Sequence, residues 1–297
     1  KIINNKLYRR KDLFKKSKNK PSSINNKTLF AIPTYYRRWI FDIKKNDTEK
    51  GEYIQHEIMN LIKNQNEIMC IDIDYTFRGD FNVLEERLHE SRDWFPLEML
   101  LNLDLFDNKK HIGYLANYIR IINNIDFQDL FKIQDISLWS EIKDVFEIMT
   151  YRSYIPYYLV LIDSLIVSFK KNPPKAIFLP YETGPVALIM ISICKIYQIK
   201  TIGIHHAFIY KNNPMYSHEE FASDKKPYLF PIPNHTLVFG QSTKKILVNS
   251  NYPQNRIVIF GHPGFFHMKQ IKASLSAKQL NKKFSIPLNS KIILFTT

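Results

Sequence analysis

Ala176-Ile-Phe-Leu-Pro-Tyr-Glu-Thr-Gly-Pro-Val-Ala-Leu-Ile-Met-Ile-Ser-Ile-Cys-Lys-Ile-Tyr-Gln-Ile-Lys-Thr-Ile-Gly-Ile-His-His206 is the stretch whose reading decides the fold. Ala176–Leu179 is a short apolar run bounded by turn residues, as a buried strand is. Val186–Tyr197 is long and apolar enough for a helix, with Pro185 in its first turn, where a missing N–H costs no hydrogen bond. Thr201–Ile204 is a second apolar run. A strand, a helix and a strand in this order predict a parallel βαβ unit.

The pattern continues in both directions. Downstream, Thr236–Phe239 precedes a helix over Lys244–Asn249, and Arg256–Phe260 leads into a turn. Upstream, Leu29-Phe30-Ala31-Ile32 is closed by Pro33, and Glu67 to Asp74 is another strand. Tyr53, Ile54, Ile58, Leu61 and Ile62 place a helix between them. Residues 84–151 read as mainly helical, and Ile155–Phe169 as a long helix ended at Asn172-Pro173-Pro174. The expectation is an α/β, Rossmann-like doubly wound parallel sheet.

Charge divides the chain. Of a net +14 over 297 residues, residues 1–27 supply +9. This segment reads as a disordered basic arm, dispensable for folding, that could touch an anionic membrane face. Residues 28–265 form the N-terminal Rossmann-like domain. Residues 266–297 read as a linker, with the run Lys291-Ile-Ile-Leu-Phe295 as the first strand of a truncated second domain. No recognised base-reading motif accompanies the remaining charge, so no nucleic-acid partner is expected. Cys70 and Cys194 lie in apolar runs without metal or redox spacing, which suits a cytoplasmic setting, with the arm against the inner membrane face.

In open parallel sheets, ligands bind beyond the carboxyl ends of the strands. There the chain places Glu182-Thr183-Gly184, His205-His206, Gly240-Gln241-Ser242 and Gly261-His262-Pro263. Glu182 is a candidate base or sugar-hydroxyl acceptor, and Thr183 a helix N-cap or ligand contact. Because strand side chains alternate, only one of His205 and His206 easily faces a given pocket. Either histidine suits base catalysis or phosphate binding. Asn213, Tyr216 and His218 follow in the same loop. Gly240, Gln241 and Ser242 offer a cap and backbone N–H groups for an anion, while Gly261 and His262 form a turn suited to a hinge. Adjacent histidines lack the spacing of helical zinc sites, so no metal is assigned. Asp72-Ile73-Asp74 has the D-x-D form that holds a divalent cation and a diphosphate, and stands as a competing site. Arg92, Asp93 and Glu98 read as helix surface.

Phe178-Leu-Pro-Tyr-Glu-Thr-Gly-Pro185, Lys195-Ile-Tyr-Gln-Ile-Lys-Thr-Ile-Gly-Ile-His-His206, Asn213-Pro-Met-Tyr-Ser-His218, Val238-Phe-Gly240 and Ile259-Phe-Gly-His-Pro263 together resemble surface-carbohydrate biosynthesis proteins of the GT-B glycosyltransferase type. These are similar in plan to capsule-synthesis transferases and non-hydrolysing sugar-nucleotide 2-epimerases. The resemblance covers roughly residues 155–297. It implies that the chain is the N-terminal half of a GT-B fold with the start of a second domain. It also implies a nucleotide-sugar donor, a glycan or lipid-linked acceptor, no permanently bound cofactor and no required metal. His206 and Glu182 would be the catalytic residues. Thr183, His205, Asn213, Tyr216, His218, Gly240, Gln241, Gly261 and His262 would contact substrate. The chain departs from the common pattern at Ala207, where relatives carry glycine, and at Gly264, Phe265 and Phe266. Nucleotide-sugar 2-epimerisation and a non-catalytic glycan- or membrane-binding module are the alternatives.

Overall fold

The computed structural model describes residues 2–16, 23–42, 47–52, 54–74, 81–89, 94–151, 154–205, 207, 209–211, 213–216, 231–262, 276–287, 290, 291 and 293. Seven strands form one sheet: β1 (Thr28–Pro33), β2 (Ile68–Ile73), β3 (Trp94–Pro96), β4 (Ala176–Pro180), β5 (Lys200–Ile204), β6 (His235–Val238) and β7 (Ile257–Ile259). Their order is β3-β2-β1-β4-β5-β6-β7, and every pairing is parallel. The chain therefore winds outward from β1 in one direction and from β4 in the other. Right-handed crossovers then send the two sets of connections to opposite faces of the sheet. This is the strand order of a doubly wound, Rossmann-like sheet with one added edge strand.

The two halves meet at β1 and β4, where Thr28 pairs with Ala176 and Phe30 with Phe178. The Phe30 and Phe178 rings stack there at 4.5 Å. All six residues of β1 are buried, as a strand covered on both faces must be. One apolar core takes in both faces of the sheet from Leu7 and Phe14 to Ile204, and a smaller one joins Ile209, Tyr216, Val238, Leu247, Tyr252 and Ile257.

The first helix corrects the expectation of a disordered arm. Helix α1 (Ile2–Lys16) buries Leu7, Arg10 and Phe14, which are spaced along one helical face. Phe14 meets Trp94 edge to face at 5.2 Å, and Lys11 Nζ donates to the Leu101 carbonyl. Arginine was legible as charge and not as core, because its aliphatic stem and paired head let it occupy a buried position.

The other helices used below are α2 (His56–Ile62), α3 (Phe81–Arg87), α4 (Lys109–Ile122), α5 (Trp139–Tyr151), α6 (Tyr154–Lys171), α7 (Pro185–Ile196) and α8 (Gln241–Asn249). Residues 84–151 are mainly helical, as the spacing predicts, and strand β3 is an exception that at three residues is too short to show a period of two. The basic segment near the carboxyl end contains the helix Ala277–Lys283, and of the expected terminal strand only Lys291 and Ile293 are described, neither of them in a strand. No helix among the described residues is long and apolar enough to cross a membrane.

Helix α7 ends in a Schellman motif. The Ile199 N–H returns to the Cys194 carbonyl and the Gln198 N–H to that of Lys195, with Gln198 left-handed at φ 57°. Glycine is the usual residue at this position, and a side chain there costs about 1 kcal/mol.

Candidate functional site

Register places the candidate residues along one edge of the sheet. Pro180 pairs with Ile204, Leu237 with Ile204, and Val238 with Ile259. The residues that follow, Tyr181-Glu182-Thr183, His205, Phe239-Gly240 and Gly261-His262, therefore emerge side by side at the carboxyl ends of β4–β7. Thr34 follows β1 across the reversal of strand order, the place where open α/β sheets leave a crevice.

Glu182 stands next to that reversal. The residue before it, Tyr181, is held left-handed at φ 59°, a conformation that non-glycine residues rarely adopt outside constrained sites. Glu182 itself is only 3% exposed. Its Oε1 accepts a hydrogen bond from the Tyr216 hydroxyl at 3.2 Å, and its Oε2 has no partner among the described residues. Burial pushes the carboxyl from its ordinary 4.5 up to about 7, against the smaller opposing effects of a backbone hydrogen bond and of Tyr216. Burial likewise raises the Tyr216 phenol, with Glu182 adding to it, so the tyrosine stays a donor. Gly203 on β5 lies below. A Cβ at that position would stand 2.8 Å from Pro233 Cγ, where something must shift, and 3.2 Å from Glu182 Cγ, so a side chain there would clash with the Pro233 ring and crowd the carboxylate stem.

Tyr216 reaches Glu182 because the loop after β5 is folded back. Asn213 accepts a hydrogen bond from the Met215 N–H at 3.0 Å and so starts the short 3-10 turn Pro214–Tyr216. Its side chain thereby supports the turn that carries Tyr216. Behind Tyr216, in the same small core, the Tyr252 hydroxyl meets Thr236 Oγ1 at 2.6 Å.

The remaining groups form a row of rings. The buried His205 ring lies 4.4 Å from the Phe239 ring, which lies 4.4 Å from His262. Burial lowers the His262 pKa, which favours neutral imidazole. Gly261, at φ 89°, makes the turn that brings His262 to Phe239. The caps differ from expectation: Gly184 and Gly240 are the N-caps of α7 and α8, so neither Thr183 nor Ser242 holds that position. Thr183 is buried beside Glu182, whereas Gln241 is exposed at the start of α8. His206 and His218 lie outside the described residues.

The other half of the carboxyl edge is built differently. Asp72, at the end of β2 and 1% exposed, accepts hydrogen bonds at Oδ1 from Arg10 at 2.6 Å and from Thr34, and pairs through Oδ2 with Arg87 at 2.8 Å. Arg10 also donates to Glu98 at 3.0 Å, and Arg87 to Glu52. Burial alone would lower the Arg10 guanidinium, yet Glu98 and Asp72 outweigh it and hold the group charged. Burial raises the Glu98 carboxyl in spite of Arg10. Asp72 therefore serves a buried ion-pair network, which removes it from the D-x-D cation reading. Glu98 belongs to the same network and not to a helix surface. Among the described residues no group of three or more His, Cys, Asp and Glu could hold a metal ion.

Sequence reasoning missed Gly203, Phe239, Arg10 and Arg87. A glycine inside a strand signals close approach, and that signal was present at Gly203. The chain matches no protein-family model, and no curated protein matches it in sequence.

Proposed function

We propose that the chain is a glycosyltransferase-like protein of surface polysaccharide or glycoconjugate biosynthesis, one that moves a sugar from a nucleotide-sugar donor to a hydroxyl acceptor. Glu182 carries this reading. It is a carboxyl pushed up to about 7 and buried beside the reversal of strand order, and one of its oxygens has no partner among the described residues. A base with a pKa near the working pH takes a proton from a hydroxyl most effectively. Tyr216 fixes its orientation, and Phe239 and His262, whose rings are tilted to each other by 53°, offer an aromatic surface beyond β6 and β7 against which a sugar face could rest.

In the reaction, the acceptor hydroxyl oxygen attacks the anomeric carbon as its proton passes to the Glu182 carboxylate. The anomeric C–O bond breaks, and the nucleoside diphosphate leaves with the electron pair. Nothing in this step asks for a resident metal or cofactor. The N-terminal half of a GT-B fold, with donor binding on a second domain, is the architecture that accompanies this proposal. Contact of the basic N-terminal segment with an inner membrane face belongs to it as well.

The test is acceptor-dependent release of nucleoside diphosphate from a panel of nucleotide sugars, compared between the protein and Glu182→Gln. Transfer reduced at least 100-fold in a variant that folds normally is the expected result. Recovery of a C2-epimerised nucleotide sugar with no acceptor consumed would replace transfer by epimerisation. Equal activity in the variant would remove Glu182 from the chemistry.

A further inference from the structure

The opposite edge of the sheet holds a pocket of about 360 Å³, lined by Ile191 and Lys195 of α7, the turn Gln198-Ile199, Lys200 and Thr201 of β5, Ile232, Asn234 and Arg256. Its size falls at the lower end of the range for small-molecule sites, roughly 300–1,000 Å³. Three of the nine lining residues are cationic and none is acidic. No ion pair joins Lys195, Lys200 or Arg256 to a carboxylate among the described residues. One lysine in the last turn of α7 suits the negative end of the helix dipole. Two further cations from separate chain segments are not explained that way.

The polar groups are already oriented. Arg256 Nη1 donates to the Pro233 carbonyl at 3.0 Å, which fixes the guanidinium plane. Asn234 Oδ1 accepts from both the N–H and the hydroxyl of Thr201, so its amide nitrogen is turned away from that pair. Gln198, exposed at the left-handed position of the Schellman motif, is among the residues that line the pocket.

We propose that this amino-edge pocket binds a small phosphate-bearing anion, with Lys195, Lys200 and Arg256 supplying charge-assisted hydrogen bonds and Gln198 and Asn234 supplying amide donors. It lies at the far end of β5 and β6 from Glu182 and is independent of the proposed transfer chemistry. The ligand is a free mono- or diphosphate compound, not a lipid headgroup, because the cations line a pocket and not a flat face.

Titration of the full chain with inorganic pyrophosphate, followed by calorimetry and by the backbone amide resonances of Gln198–Thr201, tests the site. Saturable shifts at those amides are expected, with affinity falling as salt rises. The double variant Lys195→Gln/Lys200→Gln should lose at least tenfold in affinity while melting as the parent does. Gln198→Gly should melt higher and bind at least threefold more weakly, an opposition that a purely structural glutamine would not produce. Unchanged affinity in the double variant, or heat of binding without shifts at Gln198–Thr201, would overturn the proposal. So would association with phosphatidic acid vesicles in the absence of any response to pyrophosphate.

Discussion

Asp72 and Glu182 sit at the same carboxyl edge, on strands separated only by β1, and are equally inaccessible, yet their surroundings are opposite. Asp72 lies between two arginines and a threonine hydroxyl, and Glu182 has a tyrosine hydroxyl and no cation among the described residues. The half made by β1–β3 has been filled with charge and sealed by α1. The half made by β4–β7 has been left with a carboxyl of adjustable protonation. Burial alone therefore says little about the role of an acid. What decides it is whether positive charge was buried along with it.

The comparison breaks most visibly at Arg10. Arg10→Met leaves Asp72 and Glu98 without that cation, and a destabilisation of roughly 3–5 kcal/mol is expected from breaking a buried pair on one side. Chemical denaturation measures it, and a change below about 1 kcal/mol would show that α1 is an accessory. Deleting residues 1–16 should cost at least as much, the opposite of what a free arm would give.

Glu182 should impose a pH dependence that the ion-paired half lacks. Its folded pKa of about 7 exceeds the unfolded 4.5, so the folded state binds the proton more tightly. Its contribution to stability is fully present below pH 4.5 and is lost as pH rises through 7, a difference of roughly 3 kcal/mol at about 1.4 kcal/mol per pKa unit. In Glu182→Gln that part of the slope should vanish. Denaturation midpoints measured from pH 4.5 to 8 for both proteins decide the matter, and parallel curves would contradict the burial of an unpaired carboxyl.

A smaller change sharpens the same contrast. Gly203→Ala should cost roughly 1–3 kcal/mol, since the new methyl meets Pro233 and Glu182 and one of them must move. Smallest is Tyr216→Phe, at about 1 kcal/mol for the lost hydrogen bond. Because Tyr216 holds the Glu182 pKa down, its removal should move the pH dependence of stability, and of any transfer, upward. A downward movement would mean that the hydroxyl stabilises the protonated acid.

The open half was legible in the sequence, because β4–β7 are regular apolar runs with polar residues directly after them. Glu182, His205, Gly240, Gly261 and His262 all emerge at the edge where strand order alone would put them. The sealed half was not. Leu7, Arg10 and Phe14 have helical spacing, but the arginine between two apolar residues reads as a break in the stripe unless its acidic partners are known. Those partners, Asp72 and Glu98, lie in distant segments whose own patterns suggested a cation motif and a helix surface. Caps were misread for a related reason: Thr183 and Ser242 have suitable side chains, yet the chain turns at the glycines Gly184 and Gly240. Local composition names the residues able to cap, and backbone geometry chooses among them.

The seal formed by α1 has a consequence for the order of assembly. Arg10 bonds to residues 62 and 88 positions further along the chain, so α1 leaves the ribosome ahead of its partners and has nowhere to dock until β3 and Glu98 have followed it. Closing loops of that size costs entropy before any contact compensates, which delays long-range pairings relative to local ones. Contacts made late in folding act chiefly by slowing unfolding. In this protein α1 is a latch, synthesised before the segments it grips and fastened after them, and its grip should be measured in the lifetime of the native state more than in the speed with which that state is reached.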